Sequence, residues 1–297
     1  MRLLVSVASA VEASAALAGG ADVIDAKDPL AGALGAVSAD VLREIQAVVS
    51  SARPLTAALG DAADEAAIEC AARAFAAAGA ALVKVGFAGI DSADRVAPLI
   101  AAAVRGVSCE VRARRPHILA RGELVEPRAE TARPSTGSGR AGLLRRPTHH
   151  TSAWSDGSAG VVAVAYADAD RAASLAPALL IEVAARAGAE GVLLDTVDKS
   201  GPGLRELVEP RALAAWVSEA HEAGLLVALA GKLTADDLTF VRDSGADIEG
   251  VRGAACDGGR TGRVAADRVR LLRALCAESG DGSSEILVRT ARAHGPV

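Results

Sequence analysis

The sequence predicts a (β/α)8 barrel, an α/β fold in which eight parallel strands alternate with helices around one core. Eight short aliphatic runs follow one another along the chain, and alanine-rich stretches with helical spacing separate most of them. In addition, no G-x-G-x-x-G follows the first run, as it would in a dinucleotide-binding sheet. A doubly wound open sheet uses the same alternation, but the count of eight favours the barrel.

Each predicted strand is a short run of β-branched and aliphatic residues, the pattern of a parallel strand that is buried on both faces. The predicted strands are 3–8, 23–28, 54–59, 82–87, 161–168, 191–196, 225–231 and 248–255. Between them, apolar residues recur at the spacing of one helix face. The predicted helices are 38–51, 62–79, 92–104, 170–187, 211–223, 234–244 and 264–279. We therefore expect one catalytic barrel domain over residues 1–297.

The segment 108–160 interrupts this rhythm between the fourth helix and the fifth strand. It is rich in Arg, Pro, Gly, Ser and Thr, where a regular barrel needs only a short connection. We predict a disordered or loosely structured insertion that emerges at the barrel face opposite the active site. A nucleic-acid arm is the alternative, but Trp154 is its one aromatic residue. His149 and His150 lack spaced partners for a metal.

Composition excludes several classes of function. The chain has 297 residues, 51% of them hydrophobic, and a net charge of −5, which favours a large core and a small-molecule partner over nucleic acid or membrane. No apolar run reaches the roughly 20 residues of a membrane span, and the start lacks a secretory signal. The four cysteines form no C-x-x-C pair, so neither disulfides nor a zinc site are indicated. We expect a cytoplasmic homo-oligomer.

Two lysines lie inside apolar runs: Lys27 in VIDAKD and Lys84 in LVKVGF. Burying an ammonium without a partner costs several kcal/mol, roughly, so such positions point to function. A neighbouring positive charge favours the neutral amine, which is the nucleophile of Schiff-base chemistry. Asp195 ends the sixth run, and Lys199 follows it in a loop. The alternative for Lys199 is a solvated loop lysine.

Barrel geometry predicts that these side chains converge. Lys27, Lys84, Asp195 and Arg252 fall on the second, fourth, sixth and eighth strands, and alternate strands contribute to one layer of a barrel. Asp25 points the same way as Lys27, one layer deeper, and is expected to serve it in carbinolamine dehydration. The alternative is an ion-pair cluster that merely fills the barrel mouth.

The ends of the seventh and eighth strands predict a phosphate site. Gly231 in VALAGK and Gly253 in GVRGAA lie where backbone N–H groups can approach an anion, and barrels often bind phosphate after these two strands. Lys232 and Arg252 add positive charge at the same end. The substrate is therefore expected to be a phosphate ester, although glycines at strand ends also serve in turns.

Four stretches of the chain carry a resemblance to one enzyme family. They are LLVSVASAVEASAALAGGADVIDAKDPLAGALGA, LVKVG, GVLLDT with its following lysine, and GVRGAAC. The chain resembles the (5-formylfuran-3-yl)methyl phosphate synthases, or 4-(hydroxymethyl)-2-furancarboxaldehyde-phosphate synthases, of methanofuran biosynthesis. The likeness covers nearly the whole chain except the insertion.

The resemblance implies a barrel lyase, similar to class I aldolases, that condenses two molecules of glyceraldehyde 3-phosphate and releases phosphate and water. In that family the lysine matching Lys27 forms the Schiff base and the lysine matching Lys84 accepts a proton, with Asp25, Asp195 and Lys199 as acid and amine partners. The imine is an electron sink, so neither metal nor cofactor is expected, and the enamine can attack a second aldehyde. The family occurs in methanogens and methylotrophic bacteria; the alanine- and arginine-rich composition favours the latter.

Two other functions fit the residues more loosely. One is another Schiff-base barrel, such as a phosphosugar aldolase or a dehydratase of shikimate type. The other is a barrel without catalysis that binds a phosphorylated metabolite as a sensor or scaffold, with the arginine-rich segment as a docking element. The second predicts that ligand binding survives the change Lys27→Ala.

Overall fold

The computed structural model describes residues 1–114 and 159–277 and contains a closed barrel of eight parallel strands in the order β1 to β8. This confirms the predicted fold. The strands are β1 (Arg2–Val7), β2 (Val23–Ala26), β3 (Leu55–Asp61), β4 (Leu82–Gly86), β5 (Gly160–Tyr166), β6 (Gly191–Asp195), β7 (Leu226–Leu229) and β8 (Ile248–Val251).

Helices surround the barrel and connect its strands. They are α1 (Ala10–Gly19), α2 (Ala39–Val49), α3 (Glu65–Ala77), α4 (Ala93–Arg114), α5 (Ala169–Ala172), α6 (Pro177–Arg186), α7 (Leu204–Leu207), α8 (Pro210–Glu222), α9 (Leu238–Ser244) and α10 (Ala266–Ala277). Local sequence sets several of their starts. Ser38 and Asp64 cap α2 and α3, each accepting the backbone N–H three residues ahead.

Aliphatic side chains fill both faces of the strands, as the continuous apolar runs predict. One buried cluster lies inside the barrel and includes Leu4, Val23, Leu82, Val162 and Leu193. A larger cluster joins the outer faces of the strands to the helices. This double burial leaves the ends of the strands, and the loops that follow them, as the place where polar side chains can meet.

The structure differs from the predicted elements in several places, and α7 (Leu204–Leu207) is one helix that was not predicted. Helix α1 was not among the predicted helices, because alanine on every face leaves no apolar stripe. The predicted helix 170–187 is divided into α5 and α6, and Pro177 begins the second. The predicted strand 248–255 ends at Val251. It is followed by a short hairpin of β9 (Cys256–Asp257) and β10 (Arg263–Val264) that was not predicted.

The predicted insertion is flanked by the expected elements, since α4 precedes it and β5 follows it. Its residues 115–158 lie outside the described residues, as do the predictions made for Trp154, His149 and His150. None of the helices within 1–114 and 159–277 is long and apolar enough to cross a bilayer.

Glu249 is a fully buried carboxyl group in β8 that the site does not use. Its Oε2 contacts Sγ of Cys276 at 3.7 Å, and its Oε1 has no hydrogen-bond partner within residues 1–114 and 159–277. Burial raises the pKa of Glu249 to about 7, so the folded protein holds a proton there that the unfolded chain releases near pH 4.5. The stability that this group contributes is therefore present below about pH 4.5 and is lost as the pH rises through 7.

We expect Glu249→Gln to remove this dependence. The variant should match the wild type near pH 5 and be more stable by roughly 2–3 kcal/mol at pH 8, because the wild type then buries an unpaired anion. Urea unfolding at the two pH values measures the difference. Glu182→Gln, at an exposed carboxyl group, is the control. A difference that stays constant with pH would contradict the prediction.

Candidate active site

Lys27 lies one residue beyond β2, at the mouth of the barrel. Its backbone N–H donates to the carbonyl oxygen of Val7, which fixes the chain against β1. The residue is only 8% exposed, and its Nζ lies 4.0 Å from Oδ2 of Asp195 across the mouth. Lys27 thus has one carboxylate nearby but no close ion pair, which leaves its amine free to react.

Asp195 and Lys199 form the second part of the site. Asp195 is the last residue of β6, and its Oδ1 accepts hydrogen bonds from Nζ of Lys199 at 2.6 Å and from the N–H of Thr196 at 2.8 Å. Its Oδ2 is buried, and none of the described residues donates a hydrogen bond to it. This oxygen faces Lys27 and is free to accept a proton from a bound molecule. The alternative prediction for Lys199 was a solvated loop lysine, but its side chain contacts Asp195 in the site.

Burial, above all, lowers the pKa of Lys27 to about 8. The negative charge of Asp195 opposes this shift, whereas the charges of Lys84 and Lys199 add to it. For Asp195 itself, burial works toward a higher pKa, but the charges of Lys199 and Lys27 and the hydrogen bonds to Oδ1 outweigh it and hold the pKa below its usual value. The site therefore pairs a persistent carboxylate with an amine that readily loses its proton.

Lys84 and Asp25 form a buried ion pair deeper in the barrel. Lys84 Nζ lies 2.5 Å from Oδ1 of Asp25, and Lys84 is 5% exposed while Asp25 is fully buried. The hydroxyl groups of Thr56 and Ser6 donate to Oδ1 and Oδ2 of Asp25, each at 2.8 Å. The sequence had assigned Asp25 to Lys27. The structure corrects this, because Asp25 pairs with Lys84 and the carboxylate nearest Lys27 is Asp195.

These side chains open into one cavity of about 260 Å³ at the ends of the strands. Its wall carries several positive charges and one carboxylate, that of Asp195, while aliphatic residues form its floor. The charged lining residues are Lys27, Lys84, Lys199, Lys232, Arg252, Arg260 and Asp195. Such a lining suits a small polar anion, and the apolar floor keeps water from the amines.

The loop after β7 brings Gly231 and Lys232 to the cavity wall. Gly231 has a φ of +108°, and a Cβ there would meet the side chains of Thr196 and Leu204, so the position requires glycine. Lys232 also has a positive φ, of 60°, which is costly for a residue with a side chain. Its Nζ donates to the carbonyl oxygen of Gly201, which joins this loop to the one after β6.

Arg252 and Gly253 also line the cavity, and the guanidinium of Arg252 is held by other residues of the chain. It forms a buried pair with Glu12 in α1, at 2.9 and 3.2 Å. It also donates to the carbonyl oxygens of Ser6, Arg260 and Gly262. These bonds use all five of its N–H groups, so Arg252 lies at the same cavity as the lysines but has no N–H group left for a bound molecule.

Sequence reasoning missed three polar contributors. Ser6 and Thr56 hold Asp25, and the signal for them was a single polar residue at an inward position in each of two apolar runs. Arg260 was missed because it lies in the glycine-rich hairpin after β8, which reads as a turn. Within the part of the chain that is described, no group of three or more His, Cys, Asp and Glu residues could hold a metal ion.

Comparisons with known proteins identify the family. A family model described as 4-HFC-P synthase matches residues 3–120 and 141–273. The unmatched stretch, 121–140, lies inside the predicted insertion and is shorter than it. The (5-formylfuran-3-yl)methyl phosphate synthase of Methanopyrus kandleri is 35% identical over 92% of this chain and 97% of the relative. That of Methanocaldococcus jannaschii is 32% identical over 93% and 100%.

Solved structures with the same fold are more distant in sequence. A 3-hexulose-6-phosphate synthase is 18% identical, with a TM-score of 0.53 over 92% of this chain and 99% of its own. The orotidine 5'-phosphate decarboxylase of Pyrococcus horikoshii OT3 is 14% identical, with a TM-score of 0.53 over 93% and 100%. These two support the barrel alone, whereas the named synthases indicate an enzyme. The chain belongs to the 4-HFC-P synthase family.

Proposed function

We propose that the protein is a lyase that condenses two molecules of glyceraldehyde 3-phosphate into (5-formylfuran-3-yl)methyl phosphate, a precursor of a methanofuran-type cofactor. One observation carries the proposal: Lys27 is a buried amine with a pKa of about 8, beside Asp195 and above a second lysine–aspartate pair. A lysine in this setting is suited to form an imine with an aldehyde. The names of the relatives supply the product.

The name of the product determines which carbons must join. In (5-formylfuran-3-yl)methyl phosphate, the formyl carbon and ring carbons 5 and 4 come from one triose, which has lost its phosphate. The phosphomethyl carbon and ring carbons 3 and 2 come from the other. The new carbon–carbon bond therefore links C3 of the first triose to C2 of the second, rather than an enamine carbon to the second aldehyde. One phosphate and two water molecules leave in total.

Lys27 carries the first triose in this proposal. Its Nζ attacks the aldehyde carbon C1, and loss of water gives a protonated imine. Removal of the C2 proton gives an enamine, whose electrons expel phosphate from C3 and leave that carbon electrophilic. The Oδ2 of Asp195, which has no donor of its own, is placed to exchange protons with the carbinolamine oxygen. Lys199 keeps Asp195 ionised and is a proton donor at the same place.

Lys84 and Asp25 handle the carbon-bound protons. Lys84 lines the cavity, with its Nζ 2.5 Å from Oδ1 of Asp25, and we assign it as the base of this route. It accepts a proton from C2 of a triose. When the second triose loses that proton, its C2 attacks the electrophilic C3 of the first. The oxygen on C2 of the first triose then closes the ring onto C1 of the second, and two waters leave to form the furan. Water finally hydrolyses the imine, which releases the formyl group and frees Lys27, so the net loss is two waters. The imine is the electron sink for loss of phosphate and for the new carbon–carbon bond, and the aldehyde of the second triose is the sink for its own C2 carbanion, so this route is written without a metal or cofactor.

The phosphate groups are assigned to the loops after β7 and β8. Gly231, Lys232 and Gly253 line the cavity, and in this proposal their backbone N–H groups and the positive charge of Lys232 bind a phosphate dianion. Arg252 contributes through its charge and by shaping the β8 loop, since a direct contact would require it to give up one of its bonds.

The pH dependence of imine formation tests the central feature. Only the neutral amine of Lys27 reacts, so the rate should rise with pH up to about 8 and then level off. At pH 7 about one-tenth of Lys27 is neutral, roughly 250 times the fraction for an ordinary lysine. Samples incubated briefly with glyceraldehyde 3-phosphate over a pH range, then quenched into borohydride at one pH, give the midpoint by mass spectrometry. A midpoint near 10 would contradict the assignment.

Product formation tests the whole proposal. Wild-type protein incubated with glyceraldehyde 3-phosphate labelled with ¹³C at C3 should give a furan whose labels lie at ring carbon 4 and at the phosphomethyl carbon, read by NMR. Inorganic phosphate should appear in equal amount to the furan. Imine trapping with release of another product would identify a different Schiff-base lyase, and binding without either would favour a metabolite-binding barrel.

A further inference from the structure

We propose that Arg260 is a positioning residue. It clamps the loop after Lys27, residues 28–35, to the hairpin after β8 and thereby shields the Lys27 amine from water. This inference rests on the proposed imine role of Lys27. Arg260 lies between β9 and β10, half-buried, and its guanidinium lines the cavity. It has no part in the sequence prediction.

The loop that follows Lys27, residues 28–35, is closed on itself. The N–H of Asp28 donates to the carbonyl oxygen of Gly35, and Oδ1 of Asp28 accepts from the N–H of Leu30. Gly35 approaches so closely that a Cβ on it would lie 2.3 Å from the carbonyl oxygen of Asp28. The tip of the loop is exposed, and Leu30 is 80% accessible. Internal bonds give the loop its shape, but they do not hold its tip against the barrel.

Arg260 supplies that attachment. Its Nη1 donates to the carbonyl oxygen of Pro29, and its Nη2 donates to that of Gly32 at 2.6 Å. The two carbonyl groups are three residues apart, and only the planar fork of a guanidinium reaches both at once. Lysine at this position would keep the charge but hold at most one side of the loop well.

The other end of the clamp is anchored in the barrel wall. Nε of Arg252 donates to the carbonyl oxygen of Arg260 at 2.8 Å, and Arg252 is itself held by Glu12 and by the carbonyl oxygen of Ser6 in β1. A continuous series of hydrogen bonds therefore runs from β1 through two arginines to the loop beside Lys27. This also gives the buried Arg252 a role other than phosphate binding.

The pKa of Lys27 shows whether Arg260 holds the adjacent loop in place. Burial is the largest cause of its lowered pKa, so loosening the adjacent loop and admitting water should raise that pKa toward the ordinary value. The charged groups that act on Lys27 in the wild type stay in place in an Arg260 variant. They are Asp195, Lys84, Lys199 and Asp25.

The test compares Arg260→Gln, Arg260→Lys and Arg263→Gln, the last an exposed arginine of the same hairpin. In the glutamine and lysine variants, the midpoint of Lys27 trapping should rise by about one pH unit, and trapping at pH 7 should fall about tenfold. Hydrogen exchange at the N–H groups of residues 28–35 should quicken in both variants. Arg263→Gln should match the wild type in both measurements.

Other results of these measurements would overturn the inference or the proposed imine role. A wild-type midpoint in Arg260→Lys with a raised one in Arg260→Gln would mean that the charge of Arg260 acts on Lys27 and that there is no clamp. Unchanged exchange and an unchanged midpoint in both variants would also overturn the inference. If the wild type forms no adduct on Lys27, the proposed imine role fails, whereas the exchange measurement still decides whether Arg260 holds the loop.

Discussion

Lys27→Ala is expected to abolish the borohydride-trapped adduct and to lower kcat by about four orders of magnitude or more. A methyl group cannot form the imine, and the remaining residues then have no covalent intermediate on which to act. The protein should fold normally and be as stable as the wild type or more so. Lys27 is buried 4.0 Å from its nearest carboxylate, and Asp195 keeps its bonds to Lys199 and Thr196.

Intact and peptide mass spectrometry after trapping with glyceraldehyde 3-phosphate measures the adduct, and phosphate release measures turnover. Lys199→Ala is the matched control, because it removes a neighbouring amine and should leave the adduct on Lys27. A substrate-sized adduct that persists on another lysine in Lys27→Ala would show that the imine forms elsewhere, and Lys84 would then be the first position to examine.

Asp25→Asn is expected to destabilise the protein by about 3–5 kcal/mol and to remove activity. The change leaves the Lys84 ammonium buried without a counter-charge. An uncompensated buried charge is what makes the loss of one partner of a buried ion pair strongly destabilising. The amide NH2 would also replace one of the two oxygens that now accept from the hydroxyl groups of Ser6 and Thr56, so one of these hydroxyl groups would lose its acceptor. Urea unfolding gives the change in stability, and furan formation gives the change in activity.

The double variant Asp25→Asn with Lys84→Met separates chemistry from packing. Removing both charges should restore most of the lost stability, because a buried pair adds little over an uncharged replacement. Activity should stay lost, since no group is left to accept the C2 proton. A double variant that regains both stability and turnover would mean that the pair only fills the barrel, as the ion-pair alternative holds.

The sequence predicted the barrel and most of the site because both depend on local features. Lys27 and Lys84 are conspicuous because each interrupts an apolar run, and Asp195 is conspicuous because it ends one. Contacts between distant parts of the chain were harder to predict from the sequence. Asp25 is two residues from Lys27 in sequence, yet it pairs with Lys84 of β4, and a linear pattern carries no information about that choice.

Arg252 illustrates the same limit more sharply. An arginine after the last strand of a barrel is a reasonable phosphate ligand, but here its partner is Glu12, 240 residues earlier. Nothing in the spacing of either residue indicates the pair. Arg260 was hidden for another reason, since the glycines around it are typical of a turn and draw attention away from its side chain.

We expect the amino-acid sequence to vary more at the end of the barrel where the strands begin than at the end that carries the site. Helix α4 leads into the segment 115–158, and β5 resumes at Gly160, whose N–H donates to the carbonyl oxygen of Ala81 just before β4. That junction lies at the end of the barrel where the strands begin. The site lies at the other end, where Asp195 is the last residue of β6, and a strand of this length spans about 20 Å. The two points at which that segment joins the barrel are therefore remote from the cavity, and we expect descendants of this gene to diverge first at this junction.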